Sequence, residues 1–163
     1  MSIIYWLAIA LALLALAAVL AGQIGLLQGT PPADLGVREG KLKPPSVTEN
    51  SVSSQAALYP DHPQRRYADI APLALQGDDA ATLAKIKAIL GTMEGAKVVK
   101  SEPDYLYAQF TTRWMKFVDD VECWFDPAHG VIQVRSASRV GRRDFGVNRE
   151  RIEAIRAALA ADK

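Results

Sequence analysis

The chain has 163 residues, half of them hydrophobic, with 19 basic and 18 acidic side chains and a formal net charge of +1. This length allows one domain plus an attachment. The balanced charge gives no electrostatic case for binding nucleic acid. The single cysteine, Cys123, excludes a disulfide within the chain and a cysteine-based metal cluster.

A long apolar run opens the chain, because residues 3–20 are uninterrupted by polar side chains and no charge occurs before Asp34. About 20 apolar residues cross the hydrocarbon core of a bilayer. No Lys or Arg precedes the run, which favours a retained membrane helix within residues 1–27. The small residues near Ala21 leave a cleaved signal peptide as the alternative. We expect a bacterial inner-membrane protein whose soluble domain lies in the periplasm.

Prolines and glycines dominate residues 28–50, which predicts an irregular tether between the membrane and a globular domain over residues 51–163. The first helix of that domain is predicted to start after Asp78 as its N-cap and to stop at Gly91. Its apolar stripe consists of Leu83, Ile86 and Leu90.

Four alternating segments follow this helix, and they predict strands at residues 96–100, 105–112, 117–125 and 131–140. A last helix is predicted from Arg149 to about residue 160, with Asn148 as its N-cap. The order predicts an α+β fold, namely a helix, a four-stranded antiparallel meander and a second helix. Each helix has one apolar face, so both should pack on the same side of the sheet.

The apolar alternation of the third and fourth strands selects one register, because a slip by one residue would set apolar groups against charges. The register pairs Phe125 with Ile132, Cys123 with Val134 and Phe117 with Val140 in the core. On the outer face Glu122 then lies opposite Arg135. Asp120 lies diagonal to both Arg135 and Arg139, which predicts a ladder of carboxylates and guanidinium groups.

Asp119 is the exception in this pattern, because it falls on the core face opposite Ser138. A buried carboxylate without partners costs several kcal/mol. We therefore expect hydroxyl or arginine donors around Asp119. One interpretation is structural, with Asp119 holding the final helix, and the other is functional.

The outer sheet face is predicted to combine these charges with three aromatic side chains, Tyr105, Tyr107 and Trp124. Aromatic residues beside paired charges are typical of a binding surface. The alternative is a solvated face on which each ion pair contributes about 0–1 kcal/mol.

The motifs FVDDVE at 117–122, RSASRVG at 135–141 and DFGVNRERIE at 144–153 resemble the domain of unknown function 1499 family. VSSQA at 52–56 and IAPL at 70–73 resemble it as well. The resemblance spans about residues 42–160 and implies an exported or membrane-attached bacterial protein with no established activity. Many members carry a cysteine where this chain has Ser51, so a role for that cysteine is not expected here.

Several chemistries fit the residues poorly. A metal at Asp120 and Glu122 would compete with the adjacent arginines, and a serine nucleophile would have to use His62 or His129, both in turn segments. We therefore expect no metal and no cofactor. Anion binding fits better, because four arginines surround residues 141–148 before a helix N-terminus. These are Arg139, Arg142, Arg143 and Arg149.

We therefore expect a membrane-anchored, non-enzymatic binding or accessory module of the bacterial envelope, with a protein partner or an anionic envelope ligand. The alternative is a hydrolase or lipid-modifying enzyme that uses Asp119, Asp120 or Glu122 as acid or base. The candidate binding residues are Arg113, Asp119, Asp120, Glu122, Trp124, Arg135, Ser136, Ser138, Arg139, Asp144, Asn148 and Arg149. The discriminating observation is whether Glu122 contacts Arg135 or lines a cleft without it.

Overall fold

A computed structural model describes residues 2–161 of the chain. The elements are α1 (Ile3–Gln23), β1 (Ser51–Ser53), a 3-10 turn (Ala56–Leu58), α2 (Arg65–Ala68), β2 (Leu73–Ala74), α3 (Asp79–Thr92), β3 (Ala96–Ser101), β4 (Tyr105–Thr111), β5 (Val118–Asp126), β6 (Val131–Ser138) and α4 (Val147–Ala161). The predicted α+β class is confirmed.

One antiparallel sheet has the strand order β1-β6-β5-β4-β3, and β2 pairs with β6 beside β1. The predicted meander forms its centre, while the two short strands β1 and β2 were not predicted. The register between β5 and β6 is confirmed, with Glu122 opposite Arg135 and Asp119 opposite Ser138. Phe117 and Val140 lie just outside these two strands, so their predicted pairing does not occur within the ladder.

The hydrophobic core lies between one sheet face and the two longer helices of the domain. The predicted stripe of α3 and the stripe Ile152, Ile155 and Leu159 of α4 belong to one buried cluster. That cluster includes Val121, Cys123 and other residues that alternate inward from the strands. Both helices therefore pack on the same face of the sheet, as their apolar stripes require.

Two predicted helix ends differ from the structure. Asp78 caps α3 as expected and accepts a hydrogen bond from the Ala81 amide at 2.7 Å. Gly91 does not end α3, which continues to Thr92. In the turn that follows the helix, the glycine with positive φ is Gly95. Asn148 is not an N-cap, because α4 begins at Val147 and places Asn148 inside the first turn, where it is buried.

The segment between α1 and β1 packs against the outer face of the sheet, and we call residues 29–46 the strap. Leu42 is 2 % exposed and packs against Tyr105 and Trp124. The Gly36 amide donates to Glu122 at 2.8 Å. Much of the segment that was predicted to be an irregular tether therefore covers the sheet. The alternative of a solvated outer face is wrong, because the strap buries the charges and aromatic rings of this face.

The apolar helix α1 projects from the domain, and its most hydrophobic stretch has no buried residue. It contacts the domain through its last turn, where the Gln23 side chain donates to the Trp114 carbonyl at 2.9 Å. By length and composition α1 is able to cross a membrane, and a signal sequence meets the same criteria.

Candidate functional site

The polar residues of β5 and β6 form two groups on opposite faces of the sheet. Successive strand residues point to opposite faces, so Asp120 and Glu122 lie under the strap while Asp119 points towards α4. Each of these three carboxylates is buried. The acidic strand therefore supplies two separate polar sites.

Glu122 is the most deeply buried carboxylate and is 0 % exposed. Its Oε1 accepts from the Tyr105 hydroxyl at 2.7 Å and from the Gly36 amide. Burial, together with the charge of Glu122, raises the pKa of Tyr105, which keeps the phenol protonated as a donor. Oε2 lies 3.6 Å from Nη1 of Arg135 and accepts no hydrogen bond from the described residues.

Asp120 forms the second outer-face pair, and its partner is Arg139. The guanidinium donates from Nε to Oδ2 at 2.9 Å and from Nη2 to Oδ1 at 2.7 Å, and the Tyr107 hydroxyl also donates to Oδ1. The hydrogen bonds to Asp120 raise the pKa of Arg139. This predicted diagonal contact is confirmed, and Asp120 makes no hydrogen bond to Arg135.

Arg135 is 4 % exposed, and burial lowers the pKa of its guanidinium while the charge of Glu122 opposes that shift. Its side chain makes one hydrogen bond within residues 2–161, from Nε to the Pro44 carbonyl at 3.3 Å. A guanidinium carries several further N–H donors. Arg135 is therefore a largely buried cation whose remaining donors have no acceptor among these residues, and the nitrogens that carry these donors are not completely enclosed.

A cavity of about 360 Å³ lies between the strap and the sheet at this point. Its charged lining consists of Lys43, Arg135 and Arg139 against the single carboxylate of Asp120. Prolines at 31, 32, 44 and 45 form much of its strap side. We call this cavity the strap pocket. Glu122 and Asp34, which do not line the pocket, oppose Arg135 and Lys43 from beside it.

On the core face, Asp119 is paired with an arginine that sequence reasoning did not select. Arg151 Nη2 donates to Oδ2 of Asp119 at 2.6 Å, and Nη1 donates to the Ser136 hydroxyl at 2.9 Å. The same guanidinium lies 4.4 Å from the centre of the Phe110 ring. The expected arginine donor for Asp119 is thus present, and it fixes α4 to the sheet.

Asn148, in the first turn of α4, links that helix to β6, to the residue before β1 and to the loop before α4. Its Nδ2 donates to the Ser138 hydroxyl at 2.9 Å, to Asp144 at 2.8 Å and to the Asn50 carbonyl at 3.2 Å. Its Oδ1 accepts from the Ser136 hydroxyl at 2.5 Å. Because Asn148 is 0 % exposed, these contacts indicate a structural role for the motif around it.

Asp144 precedes α4 and accepts from the Tyr67 hydroxyl, from the Gly146 amide at 3.0 Å and from Asn148. Burial would raise the pKa of Asp144, but these hydrogen bonds outweigh it and the pKa is lowered. Burial and the bond to Asp144 raise the pKa of Tyr67 to about 12. The pair joins α2 to the start of α4.

The predicted convergence of arginines on residues 141–148 is wrong. Arg139 turns to the outer face, and Arg149 donates to the carbonyls of Tyr67 at 2.6 Å and Asp69 at 2.8 Å. Arg149 can reach these two carbonyls because α2 ends beside α4. Arg143 stays 70 % exposed and pairs with Glu49.

Two other predicted site residues also differ from expectation. Arg113 does not join the polar sites, because it is exposed and lies 5.2 Å from the Trp114 ring. Trp124 is on the outer face but is 7 % exposed beneath Leu42. Within residues 2–161, no group of three or more His, Cys, Asp or Glu side chains is arranged to hold a metal ion.

Fold and site together define the class of this protein: an α+β domain with an apolar N-terminal helix and a strapped sheet whose central hairpin carries buried ion pairs on both faces. The family model DUF1499, described as a protein of unknown function, matches residues 41–159, and the chain belongs to this family. A search of curated proteins and a search of solved structures each gave no match.

Proposed function

We propose that the chain is a membrane-anchored, non-enzymatic binding module of the bacterial envelope, and that the strap pocket holds an anionic group of its ligand. Arg135 is the principal donor, with Arg139 and Lys43 as the other cations of the site. The helix α1 is the anchor, and the domain lies on the periplasmic side.

The state of Arg135 carries this proposal. A buried cation is costly unless hydrogen bonds and opposite charge compensate it. Glu122 supplies charge at 3.6 Å but no hydrogen bond, and Pro44 supplies one acceptor. A phosphate or carboxylate oxygen in the strap pocket would accept from the remaining donors, in the geometry that guanidinium groups favour.

The size and the donor groups of the strap pocket support an anion of modest dimensions. A volume of about 360 Å³ falls at the lower end of the range of small-molecule sites. Asp120 is neutralised by Arg139 through two hydrogen bonds. Glu122 opposes the charge of Arg135 at 3.6 Å and Asp34 pairs with Lys43 at 2.6 Å. The attraction for an entering anion therefore comes mainly from the N–H donors of Arg135 that have no acceptor among the described residues.

The carboxylates favour binding over acid or base catalysis. A general acid or base has to reach a proton of the substrate. Asp119 and Asp120 are each bonded to an arginine, at 2.6 and 2.7 Å, and Glu122 is 0 % exposed. The arrangement gives no specific support to the hydrolase alternative.

The test is stabilisation of the full chain in nanodiscs by inorganic phosphate, compared with chloride at equal ionic strength. A ligand at tenfold excess over its dissociation constant stabilises the folded state by about 1.4 kcal/mol. Wild type and Lys97→Gln, an exposed change on the far edge strand β3, should gain this stability. Arg135→Gln should lose it. Equal stabilisation of Arg135→Gln and wild type would refute the site.

Two further variants keep the test decisive if Arg135→Gln folds poorly. Lys43→Gln removes a charge from the half-buried strap side of the pocket and should weaken phosphate binding without unfolding the domain. Arg135→Lys keeps the charge but loses the forked geometry, and we expect intermediate binding. Anchoring is checked separately by flotation of the chain with vesicles.

A further inference from the structure

We infer that the end of the domain beside α1 is a surface that rests on the headgroup layer of an anionic bilayer. This membrane-side surface consists of Arg113, Trp114, Lys116, Arg142, Arg143 and Phe145. The inference rests on the proposed function only in that α1 enters the same bilayer. It concerns a different part of the molecule from the strap pocket.

The close contact between α1 and the β4–β5 loop sets the position of this surface. Gly22 packs so tightly that a Cβ there would lie 2.4 Å from the Met115 carbonyl oxygen. The next residue, Gln23, is bonded to the Trp114 carbonyl. The apolar helix therefore ends against this loop. When α1 spans the bilayer, the loop lies at the depth where the hydrocarbon gives way to headgroups.

Two of the exposed side chains at this depth are aromatic. Trp114 is 64 % exposed, and Phe145 is 89 % exposed on the loop that connects β6 to α4. Phe145 shares an apolar cleft of about 320 Å³ with Thr112 and Phe117, which flank the Trp114 loop, so both rings lie at one end of the sheet. Trp is enriched at membrane–water interfaces, and Phe is typical of the apolar face of segments that lie in the interface.

The backbone of Phe145 supports the same conclusion. Its φ is +53°, which is uncommon for a bulky residue and unfavourable without support. The loop is held by the Gly146 amide, which donates to Asp144 at 3.0 Å. The fold thus presents a large apolar ring to its surroundings from a rigid turn. Such exposure is unfavourable in water and is relieved by insertion among lipid headgroups.

Basic side chains surround the two rings. Arg113 lies beside the Trp114 ring, and Arg142 is exposed on the same loop as Phe145. Of the acidic groups nearby, Glu49 is paired with Arg143, and Asp144 is buried and hydrogen-bonded. The net charge of the surface is therefore positive. Each basic residue near an anionic bilayer favours the docked state by about fivefold.

The experiment measures the accessibility of two labelled cysteines in the full chain, reconstituted into nanodiscs. Burial raises the pKa of Cys123 to about 12, so the native thiol does not compete for the label at neutral pH. Phe145→Cys reports on the membrane-side surface. Ala128→Cys is the matched control, because it is exposed in the turn at the opposite end of β5 and β6. Both carry a polarity-sensitive fluorophore, and iodide is the aqueous quencher.

In phosphatidylglycerol nanodiscs the label at position 145 should shift to the blue and resist iodide, whereas the label at 128 should remain fully quenchable. Phosphatidylcholine nanodiscs should reduce this protection. In phosphatidylglycerol, the added change Arg142→Gln should lower the ratio of docked to undocked domains by about fivefold. Equal quenching at both positions in both lipids would overturn the inference. A chain that fails to float with vesicles would instead refute the anchor. Protection of position 145 that appears in native membranes but in neither kind of nanodisc would overturn the lipid assignment and indicate a protein partner for this surface.

Discussion

Glu122 and Arg135 face each other across β5 and β6 with 3.6 Å between Oε2 and Nη1, so charge joins them and a hydrogen bond does not. The neighbouring pair, Asp120 and Arg139, is closed by two hydrogen bonds. The same sheet face thus contains one saturated pair and one incompletely bonded pair. Arg135, the arginine of the incompletely bonded pair, lines the strap pocket.

Arg135→Met should destabilise the domain by about 3–5 kcal/mol, because it leaves the Glu122 carboxylate buried without its counter-charge. Adding Glu122→Gln should recover much of this loss, since the neutral amide still accepts from the Tyr105 hydroxyl. Urea unfolding of the two single variants and the double variant gives the coupling energy.

Glu102→Gln is the matched control for this cycle. Its partner Lys100 lies 2.9 Å away, but both side chains are about half exposed, so the change should cost less than about 1 kcal/mol. A cost for Arg135→Met no larger than that of Glu102→Gln would show that the buried pair contributes little to stability.

Acid should weaken the fold partly through Asp144. The pKa of Asp144 is lowered in the folded chain, so its contribution is present above the unfolded value of 3.8 and is lost as pH falls through the folded value. Asp144→Asn should therefore be less stable than wild type at pH 7 and should lose less stability below about pH 4. Tyr67→Phe, which removes one donor, should give an intermediate slope. Parallel acid titrations of the free energy of unfolding for all three chains would contradict this assignment.

Leu42→Ala should loosen the strap without unfolding the sheet. Leu42 is 2 % exposed and is the buried strap side chain that packs on Tyr105 and Trp124, with the partly buried Val37 against the same cluster. Hydrogen exchange should accelerate at the Gly36 and Leu42 amides, both of which bond to side chains of the domain. Val47→Ala, at a position 72 % exposed, is the control. Unchanged exchange at these two amides in Leu42→Ala would show that other contacts hold the strap.

Gly22→Ala should detach α1 from the β4–β5 loop, because the added methyl group would meet the Met115 carbonyl. Spin labels at Ala8→Cys and Ala128→Cys in nanodiscs should then show a broader distance distribution. Gly91→Ala is the control, since a Cβ there meets nothing within 4 Å and the change lies inside α3. It should stabilise the domain by about 0.5–1 kcal/mol and leave the distance unchanged. An equally narrow distribution in Gly22→Ala would show that the contact does not orient the helix.

The alternation of residues accounts for how much of the sheet could be predicted. Cys123 and Val134 point inward with a period of two, and the short turn at 126–130 leaves one register that buries both. The opposition of Glu122 and Arg135 follows from the same register. Local pattern and turn chemistry agree here, so no long-range information was needed.

The strap and Arg151 show where this reasoning stops. Residues 29–46 have no apolar period, and Leu42 is buried only because a distant sheet face supplies Tyr105 and Trp124. Arg151 lies one residue before Ile152 on α4, where a charged residue normally indicates the solvated side of a helix. Its partner Asp119 is 32 residues away in sequence. The need for a donor at Asp119 was predictable, whereas its identity depended on how α4 packs.

The strap lies between α1 and β1, so a cut within α1 and a cut after the strap have different consequences for the domain. Proteolysis near Ala21 would free the domain with every strap contact intact. A shortened chain that starts at Ser51 would instead lay bare Tyr105 and Trp124 and deprive Glu122 of its amide donor. Such a fragment should self-associate through the uncovered sheet. Expression boundaries for a soluble version therefore belong upstream of residue 29.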